Sequence, residues 1–372
     1  MGNKQSILDA PIANDPAKDM LRLMKSPGIQ SQIVESRWSA FGKTDLVRLT
    51  DNYGSESDVL FIDGAAGSNV VSIDEIMRDT AKLMAELGKF PALFSMNFLA
   101  ADEKDTALVI GPGGGVDIAA TWFAGFKFIE AVEVNPVFVE LMEKYNPSTF
   151  GAKENIAIHI GEGRNFVRGS PNKYDAILLN IPVTKGGRGA DYYGLTENYL
   201  FTVEAIDDFL EALTEEGAIF FTMHGRNEAY KMLANYLKSQ KRRGIDGTEA
   251  FKRVYLFSNG MNPVLVIRKN PFPPETVEEI HLAAHQARLD EDVFFFPYVE
   301  QINYSKLAQG NIDFDWFMFD NLLYDISKGK YPINEIWEAS ILNLRPAFDN
   351  TPFFFNYNTG IPDALSIPVL LG

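Results

Sequence analysis

The sequence predicts an α/β protein: a Rossmann-like, doubly wound, mostly parallel sheet with an antiparallel edge hairpin. A small N-terminal β element precedes the sheet, and a C-terminal α/irregular extension follows it. Three observations carry this expectation. Between residues 105 and 270, apolar runs of strand length alternate with amphipathic segments, as a parallel sheet covered on both faces requires. The first run passes straight into a glycine-rich turn, Ala107-Leu-Val-Ile-Gly-Pro-Gly-Gly-Gly115. The second run ends on a carboxylate, Glu133, about twenty residues further on, the usual distance in nucleotide-binding α/β units.

Residues 1–30 are polar and proline-spotted and are expected to lack a core of their own. Residues 31–100 form the N-terminal β element and a helix. Leu46-Val-Arg-Leu49 and Asp58-Val-Leu-Phe-Ile-Asp63 read as strands, with turn chemistry at Asp51-Asn-Tyr-Gly54 and Asp63-Gly64. Residues 73–90 read as an amphipathic helix with Ile73, Ile76, Met77, Leu83, Met84 and Leu87 on its buried side. In the main domain, residues 101–270, strands are expected at 107–111, 128–133, 156–160, 175–181, 217–223, 253–258 and 263–268. Helices are expected to begin near 116, 136, 163, 203 and 227. The last two strands flank Asn259-Gly-Met-Asn262 and read as a hairpin. Residues 271–372 form the extension, which opens at Pro271-Phe-Pro-Pro274, holds a helix near 276–289 and then turns aromatic and irregular.

Composition narrows the function. A formal net charge of −16 disfavours nucleic acid, whose phosphates need Lys and Arg, and is compatible with cationic ligands. With no cysteine there is no disulfide, no thiolate metal site and no Cys nucleophile. No apolar run is long enough to span a bilayer, and no secretory leader opens the chain. Met1-Gly-Asn-Lys-Gln-Ser6 fits the N-myristoylation pattern, which is short enough to arise by chance. The terminal run 361–372 becomes apolar and reads as a frayed tail or as the first turn of a further element.

The site assembles from strand ends, because ligands of open α/β sheets bind outside the carboxyl ends of strands near the switch point. Gly111, Gly113, Gly114 and Gly115 let main chain turn sharply and lie against a ligand. Glu133, with Val134 beside it, is placed to accept ribose hydroxyls. Val116 stands where the dinucleotide fingerprint needs its last glycine, and no P-loop is present, so a nucleoside ligand without phosphates fits better. S-adenosylmethionine (SAM) is such a ligand. Glu162, followed by Gly163, can meet an adenine edge, or can equally serve as an acid at a helix N-terminus. Asn180 ends the fourth strand facing the reacting end of a ligand, as a neutral hydrogen-bonder that cannot act as a base. Asp191 and Tyr193 lie in Gly186-Gly-Arg-Gly-Ala-Asp-Tyr-Tyr193, either a substrate lid or a surface connection. His281 and His285 share a helix face but lack any metal motif, and no metal is expected. His224 sits at the site rim as a proton acceptor or as a supporting hydrogen-bonder. No hydrolase elbow occurs. The runs Phe294–Phe296 and Phe353–Phe355 read as packing of the extension, or as an exposed patch for a partner or membrane.

Five segments in order resemble the spermidine synthase-like family, which has the class I SAM-dependent methyltransferase fold. They are Val109-Ile-Gly-Pro-Gly-Gly-Gly-Val-Asp117, Val132-Glu-Val-Asn-Pro136, Gly161-Glu-Gly-Arg-Asn-Phe166, Tyr174-Asp-Ala-Ile-Leu-Leu179 and Leu195-Thr-Glu-Asn-Tyr-Leu-Phe-Thr-Val-Glu-Ala205. Glu35-Ser-Arg-Trp-Ser-Ala-Phe-Gly-Lys-Thr-Asp-Leu-Val47 and Asp349-Asn-Thr-Pro-Phe-Phe-Phe355 are similar to the branch found as a domain of multi-pass membrane proteins. The resemblance implies SAM or decarboxylated SAM as cofactor. Gly111, Gly113 and Gly115 would hold its amino-acid or aminopropyl end, Glu133 its ribose and Glu162 its adenine. It also implies a small-molecule amine acceptor, a cytoplasmic location at the membrane face, membrane segments in a parent protein, and room for a homodimer. The departures are equally specific. The aminopropyltransferases of the family carry an aspartate where this chain has Asn180, and the loop aspartate that holds their aminopropyl amine falls on Gly113 or Gly114. Their tyrosine–histidine–glutamate cluster has no counterpart in residues 64–80. Asp117, Asp191 and Glu197 are the acids that could partly stand in. Two readings remain open: a transferase with Asn180, Asp191 and Tyr193 at its reacting end, and a non-catalytic ligand-sensing or scaffold domain.

Overall fold

The computed structural model describes residues 18–79, 91–180, 197–258, 262–287, 295–299, 314–338, 340 and 342–357. Asp191 and Tyr193, the 186–193 loop and residues 80–90 of the expected first helix lie outside the described residues. Met20, in the short helix Asp19–Met24, is buried with Val47, Val59 and Phe61, so this part of the N-terminal segment shares the core of the sheet beside it.

Four strands form the N-terminal sheet: β1 (Gln30–Ser39), β2 (Gly42–Thr50), β3 (Glu56–Ile62) and β4 (Ala65–Asn69), antiparallel in chain order. The turn chemistry explains their registers. The Asp51 carboxylate accepts from the backbone N–H of Tyr53 and of Ser55, both at 2.8 Å, closing the β2–β3 turn. Asp63 takes a left-handed backbone at φ 49° while its carboxylate accepts from Lys43 N–H at 2.9 Å. Aspartate tolerates this conformation because its short side chain bonds locally. The predicted helix is seen over Ile73–Arg78, where the Ser72 side chain caps Glu75 N–H.

The main sheet contains β5 (Thr106–Ile110), β6 (Phe128–Glu133), β7 (Ile156–Ile160), β8 (Tyr174–Asn180), β9 (Leu213–Thr222), β10 (Val254–Ser258) and β11 (Pro263–Arg268). Its order is β10-β11-β9-β8-β5-β6-β7. Strands β5 to β9 run parallel, and β11 is antiparallel to both β9 and β10. The α/β class and the antiparallel edge are therefore as the sequence predicts. Alternation along each strand divides the interior into two cores. Leu108, Ile110, Ile177, Leu179, Ile219 and Phe221 face one core. Ala107, Val109, Ala176, Leu178, Ala218 and Phe220 face the other. Each large apolar side chain so buried stabilises by roughly 1.5–3 kcal/mol.

Strand β9 starts four residues before the expected 217 because Leu213 pairs with Tyr174 ahead of a register shift. Gly217 permits the shift, since a Cβ there would lie 2.6 Å from the Tyr174 carbonyl oxygen. The extension adds to both cores rather than building its own. The helix Pro274–Gln286 contributes Val277 and Ile280 to one. Phe295, Leu323, Ile326, Ile336, Leu344 and Phe354 join the other. Phe295 bonds to Leu256 through both backbone groups at 2.9 Å, and Phe296 stacks on Tyr255 at 5.4 Å. Phe295, Phe296, Phe354 and Phe355 are all buried, so these residues are packing, not an exposed patch.

Candidate functional site

Sheet order reverses at β5, with β6 on one side and β8 on the other; Gly111–Gly115, Glu133 with Val134, and Asn180 lie at the carboxyl ends of these three strands, and Glu162 and Gly163 follow β7. The glycine-rich turn leaves β5 with Gly111, Gly113 and Gly115 at φ 72°, 51° and 99°. L side chains avoid that region, so these three positions require glycine for backbone reasons. Gly114 is explained differently. A Cβ there would clash with the Asn69 carbonyl oxygen at the end of β4. Its N–H donates to Ser68 Oγ at 2.9 Å, and its carbonyl accepts from Val71 N–H at 3.1 Å. Asn146 Nδ2 donates to the carbonyls of Val71 and Gly114, at 2.8 and 3.3 Å. Thus the surface of Gly114 is covered by the chain's own N-terminal sheet, where the sequence suggests main chain left bare for a ligand.

Glu133 closes β6 and is 6% exposed. Oε1 accepts from Asn135 N–H at 2.9 Å and Oε2 from Gly113 N–H at 3.3 Å. Burial raises its pKa, and the N–H groups of Asn135, Gly113 and Val134 pull it back. Each oxygen retains a lone pair for another donor. Val134, next along, is 43% exposed beside it. Asn135 then caps the helix Pro136–Tyr145 through Val137 N–H, with Pro136 at the first position.

Glu162 caps the helix Gly163–Gly169, accepting from Arg164 N–H at 3.1 Å and from Asn165 N–H at 2.8 Å. Both of its oxygens are engaged in the helix-terminal role that the sequence allows. Gly163 is buried, and a Cβ there would strike Ile110 Cγ2, so glycine lets this helix settle onto β5. Asn180, half-buried at the end of β8, donates from Nδ2 to Asp117 Oδ1 at 2.6 Å. Asp117 lies in the first turn of the helix Val116–Phe123 and is 6% exposed. Burial pushes its carboxyl up to about 7, against the opposing pull of the Asn180 bond. Of the two stand-in acids among the described residues, Asp117 and Glu197, Asp117 is the one joined to Asn180. Glu197 accepts from the Tyr199 hydroxyl at 3.0 Å instead.

The remaining candidates have local partners. His224 presents its backbone N–H and Nδ1 to Glu228 Oε2 at 2.8 and 3.0 Å. His281 sits edge-on to Phe296 at 5.5 Å.

Sequence reasoning missed Arg164, which lies inside a quoted motif. Its guanidinium is 7% exposed and donates from Nε to Asp208 at 2.6 Å. Its terminal nitrogens bond both oxygens of Asp349 at 2.6 and 2.9 Å, and one also reaches the Tyr199 carbonyl at 3.1 Å. Thr202 Oγ1 also donates to Asp349 at 2.7 Å. Segments around 161–166, 195–205 and 349–355 thus converge on one arginine. The available signal was an arginine two residues after a helix-capping acid and an aspartate before a Pro-Phe-Phe-Phe run, with nothing in the sequence to pair them.

The strand order is that of a Rossmann-like, class I methyltransferase-type fold. In sequence, the chain is 32% identical over 138 residues to a polyamine aminopropyltransferase of Alkaliphilus oremlandii, covering 36% of this chain and 44% of that protein. It is 32% identical over 151 residues to a polyamine aminopropyltransferase of Clostridium botulinum, covering 40% and 49%. These relatives bear out the resemblance to the spermidine synthase-like family, and the chain spans about half the length of the curated relatives it matches. No family model matches. Among solved structures, spermidine synthase from Thermotoga maritima aligns at 20% identity and TM-score 0.45, over 76% of this chain and 88% of that one. Human methyltransferase-like protein 13 in complex with SAH aligns at 18% identity and TM-score 0.38, over 59% and 97%.

Proposed function

We propose that the carboxyl ends of β5, β6, β7 and β8 bind SAM or decarboxylated SAM, and that the chain transfers a methyl or aminopropyl group to a small-molecule amine. One observation carries the reading: a left-handed glycine turn and the buried Glu133 meet at the switch point of a chain related to polyamine aminopropyltransferases. The residues fit the ligand. Each Glu133 oxygen keeps an acceptor position for a ribose hydroxyl, and Val134 offers an apolar surface beside it. Bound there, such a ligand supplies an electrophilic carbon on a sulfonium. The chain's part is to orient. Asn180 can hold an N–H group but cannot take its proton. Asp117 behind it is bonded to the amide, so it orients Asn180 and adds negative charge near the reacting end, while the acceptor's proton leaves to solvent. An acidic chain suits a cationic acceptor and not nucleic acid.

A non-catalytic sensing or scaffold role is the second reading. It is favoured by Asn180 at the position where the family has an aspartate. In either case we place the domain at the cytoplasmic face of a membrane on the resemblance of residues 35–47 and 349–355 alone. Among the described residues, no helix is long and apolar enough to cross a membrane.

Calorimetric titration with SAM, decarboxylated SAM and methylthioadenosine, with Glu133→Ala as control, tests the site. Binding that is lost in the variant supports it, and no binding by any of the three overturns it. Release of methylthioadenosine from decarboxylated SAM in the presence of a diamine would end the non-catalytic reading.

A further inference from the structure

Asn180 is the polar side chain at the end of β8, and Asp117 decides which way round its amide sits. The two amide N–H groups are donors and the oxygen is an acceptor. Nδ2 is committed to the Asp117 carboxylate at 2.6 Å. Asp117 lies behind, almost fully buried, on a helix held against the sheet by Ile118, Ala119 and Ala120. Among the described residues Asn180 Oδ1 accepts no hydrogen bond. With Asp117 ionised, as it is above about pH 7, turning the amide over would set its oxygen against the carboxylate, two acceptors with no proton between them. Among the described residues, the acceptor left for a ligand at the end of β8 is therefore this carbonyl oxygen.

We infer that Asp117 is a positioning residue that holds the Asn180 carbonyl oxygen toward the ligand, so that the site favours a ligand carrying a primary ammonium there over one carrying a carboxylate. This rests on the proposed nucleoside-ligand site. An ammonium donates to the oxygen and is attracted by the acid behind it. SAM carries the same ammonium with a carboxylate on the adjoining carbon, and that carboxylate meets an acceptor and a second anion. The ammonium belongs either to the aminopropyl arm of decarboxylated SAM or to a free diamine acceptor. The relatives' aspartate is thereby replaced by two residues, a buried acid on the helix after the glycine turn and an amide that faces the site.

The test is the ratio of affinities for decarboxylated SAM and SAM, measured by calorimetry on the full chain at pH 8.5, where Asp117 is ionised. A ratio does not change with the folded fraction, so a merely structural role for Asp117 would leave it unmoved. In the wild type we expect a preference for decarboxylated SAM of roughly tenfold, the scale of one charge-assisted hydrogen bond. Asp117→Leu frees the amide to turn and should bring the ratio close to one. Asp117→Asn, nearly isosteric, serves if the leucine variant does not fold and should lower the ratio in the same direction. Titration with 1,4-diaminobutane identifies the source of the ammonium. Diamine binding weakened by Asp117→Leu assigns it to the acceptor, and an effect confined to decarboxylated SAM assigns it to the donor. Equal wild-type affinity for the two adenosyl ligands, or a ratio that both variants leave unchanged, together with diamine binding that neither variant weakens, overturns the inference while the site reading stands. If methylthioadenosine and both adenosyl ligands fail to bind, the site reading fails, and the inference with it.

Discussion

The glycine-rich corner and the C-terminal corner both tie down carboxylates, and they satisfy them in opposite ways. Glu133 is held by N–H groups 2 and 20 residues away, and Glu162 by those 2 and 3 residues away. Asp349 is held by a guanidinium 185 residues away and by Thr202 at a separation of 147. Main-chain donors come with the turn or helix that makes them, so the first corner forms as its local backbone forms. The second exists only once the extension has docked. Stability should therefore depend most on the second corner, and ligand binding on the first.

The largest expected effect is at Arg164. Arg164→Leu leaves Asp208 and Asp349 without their cation, and breaking such a pair costs about 3 kcal/mol. That is the low end of the usual range, because the Asp349 side chain is 40% exposed and partly solvated. Urea unfolding followed by far-UV circular dichroism would report it, and a loss below about 0.5 kcal/mol would mean the two corners are not as different as their bonding implies. Adenosyl-ligand affinity of the folded fraction should change little.

This contrast also sets what was legible in the sequence. β6 and β7 were read to the residue because each is a short apolar run with polar or turn residues at both ends. The helices after them were read from local caps and prolines, as at Asn135-Pro136. β9 was read short because Leu213-Thr-Glu-Glu216 is polar, and only the Tyr174 pairing recruits it. Gly114 was assigned to ligand approach, but no local pattern announces that β4 lies on it. The Asp117–Asn180 bond joins residues 63 apart, and the Arg164–Asp349 pair spans half the chain. An acid is visible in a sequence, while its partner is a property of the fold.

Gly114→Ala asks whether the glycine corner is shaped by its own chain or by a ligand. The added methyl must displace Asn69 backbone, an overpacking effect of about 2 kcal/mol. Thermal unfolding without ligand should show the loss. An unchanged midpoint combined with lost nucleoside binding would instead assign Gly114 to the ligand.

Asp117 should give the glycine corner its own pH signature. Its carboxyl is raised from 3.8 to about 7 on folding, so the folded state holds the proton more tightly. Stability from this group is therefore complete below about pH 4 and is lost as pH rises to 7, the direction opposite to that of a salt-bridged acid. The full shift converts to roughly 4 kcal/mol, and relaxation around the Asn180 bond brings the expected change to about 2. Denaturation midpoints from pH 4.5 to 8 should fall in the wild type relative to Asp117→Asn. Parallel curves would show that Asp117 is solvated in the fold.

Lys231 supplies the matching, smaller test in the C-terminal corner. It is 1% exposed, donates to the Asn356 carbonyl at 2.8 Å, and lies over the rings of Phe354 and Tyr357. Desolvation lowers its pKa from 10.5 to about 7. A cation whose pKa falls on folding weakens the fold fully below the folded value, and the fold regains stability as pH rises from 7 to 10.5. The carbonyl and the two rings offset part of that cost by favouring the ammonium. Lys231→Met keeps the length and apolar stem while removing the charge, so it should stabilise by about 1 kcal/mol at pH 6 and by progressively less toward pH 10. A loss of stability at pH 6 would mean that the ammonium's contacts with Asn356, Phe354 and Tyr357 outweigh its desolvation. The C-terminal segment would then be held by two cations, Arg164 and Lys231, and not by one cation and apolar packing.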